Sequence, residues 1–488
     1  EGRLLLARCL IESGEYESAL APLLLIDDSQ PAAKLEAERM LAVAYLKGRP
    51  PQLDKANEHA AAYAAGAQAV PNSRDRAALL QGEIALAQGN VDQAESLIKQ
   101  VPDEWDLVHP RQMLFGHLTL ERANRIRQKS LTAGDDAQSA EAQQLYGKSI
   151  ELLRDALSYH ASGQGLSSQA SYLIGTAFRH QGQLEAAQDQ FFRTRKRYYN
   201  TPEGLVASLE EAEVLLELGE LETASAALER TASHITTPDQ LANPYVSAKQ
   251  LRDRVKKAFE VIYQQERFDL AASLAQSIKP LVGPQEAAKL KAESLHRWGD
   301  HLQAQATIAP VDEADSLFRQ SRKKYRLAGY AFAEVANRMY VTEEYPTALW
   351  QSGYNFNLGR DYKNATVVLD EYLRTEALTE RPLVLIALAR AHLSLNEVEQ
   401  AIAIIDSCLR DFSRDPSVYD ARLLASTAYL EAGKTEEARK LLEASLHQQP
   451  PTPRSDIWRD SLFALGALLH NYGRATMLQP PATVTNDP

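Results

Sequence analysis

The stretch Tyr172–Phe191 reads YLIGTAFRHQGQLEAAQDQF, and the fold follows from its spacing. Gly175 is a small residue, with the large Phe178 three positions on and a second glycine, Gly182, seven on. Five further stands Ala187, and four beyond it Phe191. A left-handed residue that ends a helix costs glycine least. Gly182 therefore divides the stretch into two helices joined by a tight turn. Gly175 on the first and Ala187 on the second let the helices approach closely, and Phe191 fills the groove beside them.

The spacing recurs along the chain. Ala19, Ala94, Ala187, Ala224, Ala365, Ala401 and Ala438 stand as anchors. Twelve residues before them come Ala7, Gly82, Gly175, Ala212, Gly353, Ala389 and Ser426, all small. Nine before come Leu10, Ala85, Phe178, Leu215, Phe356, His392 and Tyr429, mostly large. Four after come Leu23, Ile98, Phe191, Leu228, Leu369, Ile405 and Leu442. Five before five of the anchors is a glycine: Gly14, Gly89, Gly182, Gly219 and Gly433. A sixth has Asn396 there, and the seventh has Gly359 one residue further back. Adjacent anchors lie 36 or 37 residues apart, as from Ala365 to Ala401 and from Ala401 to Ala438. Ala56 is a weaker anchor whose turn is stretched by Arg49, Pro50 and Pro51. Prolines close several units (Pro31, Pro202, Pro416 and Pro450), because proline cannot continue a helix. The pattern predicts an all-α chain of about 22 helices with no sheet.

Two stretches break the period. Arg111–His160 reads as a long helix, a polar loop at Leu131–Asp136 and a second long helix. Gln285–Tyr345 reads the same way, with its break at Ala309 and Pro310. Each precedes a strong repeat, and Gly175 and Gly353 stand 178 residues apart, as do Tyr172 and Trp350. The expected organisation is N-terminal repeats over 1–105, a long helix pair over 106–162 and central repeats over 163–284. A second long pair follows over 285–345, then C-terminal repeats with a capping helix over 346–478 and a tail over 479–488. The tail has no periodicity from Pro480 on and reads as disordered. The chain opens at Glu1 with Leu4, Leu5 and Leu6 already in a helical pattern, as expected of a cut or processed chain.

Tyr172…Gly175…Phe178…Ala187…Phe191…Pro202 and Trp350…Gly353…Phe356…Ala365…Leu369 resemble the tetratricopeptide repeat, a 34-residue helix–turn–helix unit of pattern W-x2-L-G-x2-Y…A-x3-F…P. The period here is longer, and the leading tryptophan is present only as Trp350 and, more loosely, Trp458. Longer periods resemble bacterial cell-envelope members, such as the periplasmic adaptors of the Tol-Pal system and the outer-membrane assembly lipoproteins. The resemblance implies a right-handed superhelical α-solenoid, with protein or peptide partners on a concave wall made mostly by first helices. It also suggests a periplasmic or envelope location, with the cytoplasm as the alternative.

Composition narrows the function classes. The 488 residues are 44% hydrophobic and 24% charged, ordinary for a folded protein. No stretch is long and apolar enough to span a bilayer. A net charge of −12 fits nucleic acid or anionic membrane poorly. Cys9 and Cys408 cannot by themselves make a disulfide framework or a zinc site. No phosphate loop, Rossmann glycine pattern, HExxH, CxxC, EF-hand or GxSxG occurs, so no catalytic residue, metal or cofactor is assigned. Gly163 and Gly165 read as a linker pair.

His296 and His301 stand five apart, off the i, i+4 spacing of a helical zinc pair, and read as a polar helix end. His392 reads as a packed core histidine, since it fills a slot held elsewhere by Phe178, Phe356 and Tyr429. The basic runs Arg193–Tyr199 and Arg319–Arg326 read as charged helix ends, with an acidic partner or a phosphate backbone as alternatives. Cys408 takes a buried slot, and Cys9 a half-exposed one.

On the wall implied by the resemblance, the positions three before, one after and four after the small residue face the groove. They read Tyr172, Thr176 and Arg179; Trp350, Tyr354 and Asn357; Ile386, Arg390 and Leu393; and Leu423, Thr427 and Leu430. Aromatic and arginine side chains anchor partners best. The expected protein-binding set is therefore Tyr172, Thr176, Arg179, Trp350, Tyr354, Asn357, Arg390 and Thr427, with Trp350 alternatively packed between repeats. The resulting reading is a non-enzymatic scaffold or adaptor. Its rivals are a subunit of a large envelope assembly and the recognition arm of a larger enzyme.

Overall fold

A computed structural model describes every residue except 28, 49, 69–72, 103–106, 134–135, 159–163, 236–242, 448–454 and 478–488. Arg49, His160, Gly163, Pro450 and the tail from Pro480 thus lie outside the described residues. Among the described residues there are 24 helices and no strand. The chain forms two units, one of Glu1–Gln265 with Ser277–Gly283, the other of Glu266–Gln276 with Pro284–Pro488.

The first unit is a row of hairpins: α1 (Gly2–Glu12) with α2 (Tyr16–Leu24), α3 (Pro31–Lys47) with α4 (Leu53–Ala67), and α5 (Ser73–Ala87) with α6 (Val91–Lys99). There follow α7 (Val108–Ala133) with α8 (Asp136–Ser158), α9 (Gln164–His180) with α10 (Leu184–Arg197), and α11 (Pro202–Glu217) with α12 (Leu221–Ser233). It continues with α13 (Ala248–Gln264). The second unit takes up α14 (Phe268–Ser277) as far as Gln276, and the short α15 (Lys279–Val282) belongs to the first. The second unit continues with α16 (Pro284–Ile308) and α17 (Val311–Arg338), α18 (Tyr345–Leu358) and α19 (Tyr362–Leu373), and α20 (Arg381–Ser394) and α21 (Val398–Asp411). Then come α22 (Val418–Glu431), α23 (Thr435–His447) and α24 (Asp456–Met477).

All seven anchor alanines are buried, as are the small residues twelve before and the large residues four after. The close approach is literal. A Cβ added at Gly82 would lie 2.8 Å from Ile98, and one at Gly175 2.6 Å from Phe191; one at Gly353 would collide with Leu369. In each case the obstructing side chain is the one four beyond the anchor.

The long pairs use the same device with serine as anchor. A Cβ at Gly116 would meet Leu153 at 2.6 Å, and one at Gly299 would meet Tyr325 at 2.6 Å. Four residues before each large side chain, buried Ser149 and Ser321 donate to the carbonyls of Gly116 (2.7 Å) and Gly299 (2.9 Å). The break at Ala309 and Pro310 falls between α16 and α17 as expected, whereas α7 continues through Leu131 to Ala133 and shortens the expected polar loop.

The turns correct one assignment. Gly14, Gly89, Gly182, Gly219 and Gly433 have φ between 76° and 82°, and Asn396 has φ 63°. In the seventh turn the left-handed residue is Arg360 (φ 56°), five before Ala365, and Gly359 is right-handed (φ −74°). Gly359 is small for another reason: its Cβ would lie 2.6 Å from Arg326 Cγ and 2.9 Å from the Arg326 backbone nitrogen. Glu266 (φ 57°) stands five before buried Ala271 and marks an eighth instance of the spacing. There the sizes are exchanged, with Phe259 twelve before and Ala275 four after.

Within each unit successive helices pack pairwise, and close contacts also link consecutive first helices: α3 with α5, α7 with α9, α18 with α20, α20 with α22. The first helices therefore line one continuous wall in each unit.

Candidate functional site

In the first unit this wall is closed by its own side chains. Tyr172 is buried, its ring 6.1 Å from Phe191 and 5.0 Å from Tyr245, and burial raises the pKa of its hydroxyl well above normal. Tyr245 precedes α13 and is anchored by its own hydroxyl, which donates to Glu203 (2.8 Å). Neighbouring Asn243 donates to the Pro202 carbonyl (2.9 Å). Tyr172, expected as a groove anchor, is thus a core residue. Thr176 donates to the Tyr172 carbonyl (3.2 Å).

Arg179 is spent on carboxylates of the next first helix: Glu210, Glu213 (2.9 Å) and Glu217 (2.5 Å). Arg254 of α13 closes the cluster on Glu210 (2.7 Å) and Glu213 (2.6 Å). Burial alone would push the Glu213 carboxyl up, but Arg254 and Arg179 outweigh it and hold its pKa below normal. Further along the wall, Lys47 Nζ lies 2.5 Å from Glu83 and donates to Gln169 (3.4 Å), joining α3, α5 and α9. His117 stands beside Gly116 on the same wall, and burial lowers its pKa to about 4.

The second unit presents a different wall. Trp350 is half-buried against the core, and its ring lies 5.4 Å from Tyr354, which is 39% exposed. Tyr354 also lies beside His296, with ring centroids 6.2 Å apart. Asn355 fixes that imidazole: its Oδ1 is 2.9 Å from His296 Nδ1, while its amide donates to the Gln351 carbonyl (2.8 Å). The Asn355 oxygen is thus the acceptor and His296 Nδ1 carries the proton.

Asn357 donates to the Ala387 carbonyl (3.1 Å) and leaves its own buried Oδ1 without a partner among the described residues. Arg390, one after the small residue of α20, is exposed and carries no ion pair among the described residues. Thr427 is exposed and bonds back to the Leu423 carbonyl (3.2 Å). Leu430 is 39% exposed, Leu393 and Leu423 are half-buried, and Ile386 is buried. The structure thus brings Trp350 and Tyr354 together, adds His296, and arrays Arg390 and Thr427 on the following first helices.

The remaining sequence candidates resolve as follows. His301 goes to Glu266 (3.4 Å), a different partner from that of His296. His392 is half-buried, with Nδ1 2.6 Å from Glu397 at the turn, so it makes a helix-end polar contact rather than being a sealed core residue. Part of the run Arg193–Tyr199 is neutralised: Arg193 pairs with Asp189 (2.7 Å), Arg195 with buried Glu211 (2.6 Å), and Arg197 lies over Tyr198. In the second run Lys324 caps the Trp298 ring at 3.1 Å. Cys408 is buried, which raises its thiol pKa to about 11; Cys9 is exposed rather than half-exposed. His296 was missed as a wall residue. The signal was its place three before Gly299, visible only once Gly299 is known to be the small residue of a long hairpin.

Residues 135–196 and 386–453 match a tetratricopeptide repeat family model, and residues 76–100 and 205–230 match a second model of the same repeat. These segments carry the spacing of Gly82, Gly175, Ala212, Ala389 and Ser426, so the matches support the repeat family on the same residues. No curated protein matches the chain in sequence. Among solved structures, the APC/C hetero-tetramer Cut9–Hcn1 is similar at 12% identity over 96% of this chain and 83% of that one, with a TM-score of 0.29. A tetratricopeptide repeat protein from Parabacteroides merdae shows 12% identity over 62% and 98%, TM-score 0.25. Naa15/Naa10 bound to HypK-THB shows 14% over 97% and 73%, TM-score 0.26. At such scores these likenesses carry no argument about function.

Proposed function

We propose that this solenoid of tetratricopeptide-type repeats is a non-enzymatic scaffold that holds a segment of a partner protein against the inner wall of its second unit. The observation that carries the reading is Tyr354, exposed beside Trp350 and His296 and on the same wall as Arg390, which has no ion pair among the described residues. The corresponding wall of the first unit is filled by Tyr245 and by its own ion pairs. An aromatic shelf with an exposed guanidinium suits an apolar or aromatic side chain flanked by a carboxylate.

An anchor of this kind is worth about 2 kcal/mol, roughly thirtyfold in affinity. The Arg390 contribution is smaller and fades as salt rises. The test is affinity capture of the partner followed by titration against Tyr354→Ala, Arg390→Glu and, on the opposite side of the hairpin, Val367→Ser. The expected result is a large loss for Tyr354→Ala, a salt-dependent loss for Arg390→Glu and none for Val367→Ser. Binding that depends on Val367 but not on Tyr354 overturns the assignment, and so does an unfolded Tyr354→Ala chain. The long repeat period supports a second, finer reading as an envelope adaptor or assembly subunit, tested by fractionating cells that express the full gene.

A further inference from the structure

The two basic runs meet different surroundings. Arg193–Tyr199 closes α10, where the helix dipole favours cations, and its Arg193 and Arg195 are paired with carboxylates. Arg319–Arg326 lies in the middle of the 28-residue α17, where no helix end accounts for it. The expected reading as a charged helix end thus fails for the second run. None of Arg319, Arg322, Lys323 and Arg326 has an ion pair or a side-chain hydrogen bond among the described residues. Burial and the like charge of Lys323 lower the pKa of Lys324, which Asp269 only partly offsets.

Arg319, Lys323, Arg326 and Tyr330 stand at i, i+4, i+7 and i+11 and form one exposed stripe of the helix, flanked by half-buried Arg322. The turn of the next hairpin adds a further cation. A Cβ at Gly359 would lie 2.9 Å from the Arg326 backbone nitrogen and 3.1 Å from the Arg322 carbonyl oxygen, so this turn rests on α17 at the basic run. Beside it Arg360 is exposed and has no ion pair among the described residues. Its φ of 56° is of the kind that five turns give to glycine and a sixth to Asn396. Glu266, which shares that geometry, uses its side chain on His301 (3.4 Å). Arg360 bears the same backbone cost with its guanidinium unused, and strain held in this way points to a function for the side chain. Neighbouring Asp361 is engaged by the Asn364 amide (2.8 Å), which also donates to the Tyr330 hydroxyl (2.9 Å).

We propose that this patch of α17 and the α18–α19 turn binds an acidic segment of a partner protein, in which several Asp or Glu residues precede an apolar one. Charge complementarity selects the occupant: a cluster of cations without carboxylates of its own is completed by carboxylates from outside. From Arg319 to Arg326 the cations span about 10 Å of helix, the length of roughly three extended residues. Tyr330 follows on the same stripe, 54% exposed and standing edge-on to Phe356, and receives the apolar side chain. A nucleic-acid backbone fits less well. Exposed Asp315 and Asp312 precede Arg319 by one and two turns and would face its next phosphates, and the chain as a whole carries −12. The patch is separate from the wall of the second unit, because α17 is the second helix of its hairpin and Tyr354 and Arg390 stand on first helices.

The test titrates the full chain into a fluorescein-labelled peptide, in which a block of Glu and Asp precedes a Leu, at about 50 mM salt. Anisotropy is expected to show binding with a Kd below about 100 μM that weakens as salt rises. The double variant Arg319→Glu, Lys323→Glu should weaken it about tenfold, and Arg360→Gly about threefold. Arg360→Gly is informative because relief of the left-handed backbone should raise its melting temperature while binding falls. Arg390→Glu should leave this binding unchanged, which separates it from the wall. Equal binding by either patch variant, equal binding of the peptide with Gln and Asn in place of its acids, or no binding at about 1 mM peptide overturns the proposal. A loss on Arg390→Glu alone overturns it too, by assigning the acidic segment to the wall. Tighter binding of an oligothymidylate than of the peptide, lost in the double variant, overturns it by assigning the patch to nucleic acid.

Discussion

At Gly175 the missing Cβ is what admits Phe191, and at Gly466 the missing Cβ admits nothing among the described residues. The same substitution should therefore have opposite signs at the two sites. Gly175→Ala forces a methyl to within 2.6 Å of the Phe191 ring. Overpacking of that kind costs on the order of 1–3 kcal/mol, which outweighs the roughly 1 kcal/mol that alanine gains in helix propensity. At Gly466 only the propensity term acts, and Gly466→Ala should stabilise by about 0.5–1 kcal/mol. Thermal melts followed at the helical circular dichroism band give the comparison. Shifts of the same sign in both variants would refute the slot assignment. These positions were legible in the sequence because a small–large pairing at fixed spacing survives translation along the chain. Tyr172 was not legible: Tyr245, which covers it, lies outside the repeat spacing.

A hairpin turn separates two roles that the sequence alone merges. Gly359 was read as the displaced left-handed residue of its turn, yet Arg360 carries the positive φ and Gly359 makes room for α17. Left-handed geometry penalises a residue with a Cβ by about 1 kcal/mol. Arg360→Gly should therefore raise the melting temperature. Gly359→Ala should lower it, because the Arg326 backbone nitrogen, 2.9 Å from the new methyl, cannot move as a side-chain end can. If the neighbouring variants gave the reverse order, the left-handed position would have to be Gly359 after all. The long hairpins make the same point about legibility. Their Gly116–Leu153 and Gly299–Tyr325 contacts repeat the regular device, but serine replaces the anchor alanine and the added helix length separates the partners. A search at fixed spacing passes over them.

Across the whole chain the walls of the two units differ in what they leave free, and this difference was the least legible feature of all. Arg179 and Arg390 hold related places in their repeats, four after and one after the small residue. Only the identities of their spatial neighbours decide that one is bound to Glu210, Glu213 and Glu217 while the other has no ion pair among the described residues. Those neighbours come from other repeats, where residue spacing along one hairpin carries no information. The closed wall of the first unit should respond to acid. His117 lies there, and His180 lies at the end of α9 against Tyr146 of α8 and Arg127 of α7; burial lowers each pKa to about 4, assisted at His180 by the charges of Arg127 and Arg179. Arg127 donates to His180 Nδ1 (2.8 Å), a bond that requires the neutral ring. The unfolded chain, with histidines near 6.5, binds more protons between about pH 6.5 and 4, so stability present above that window is lost as pH falls through it. In a repeat array such a loss is felt first by the helices in contact with the affected ones. Hydrogen exchange from pH 7 to 4.5, corrected for intrinsic rates, should therefore show α7, α8 and α9 losing protection before α18–α21. The double variant His117→Gln, His180→Gln should flatten the acid slope of the melting temperature, because neither glutamine titrates in that range. An unchanged slope in that variant, or protection lost evenly along the chain, would mean that the acid response arises elsewhere than in these two buried rings.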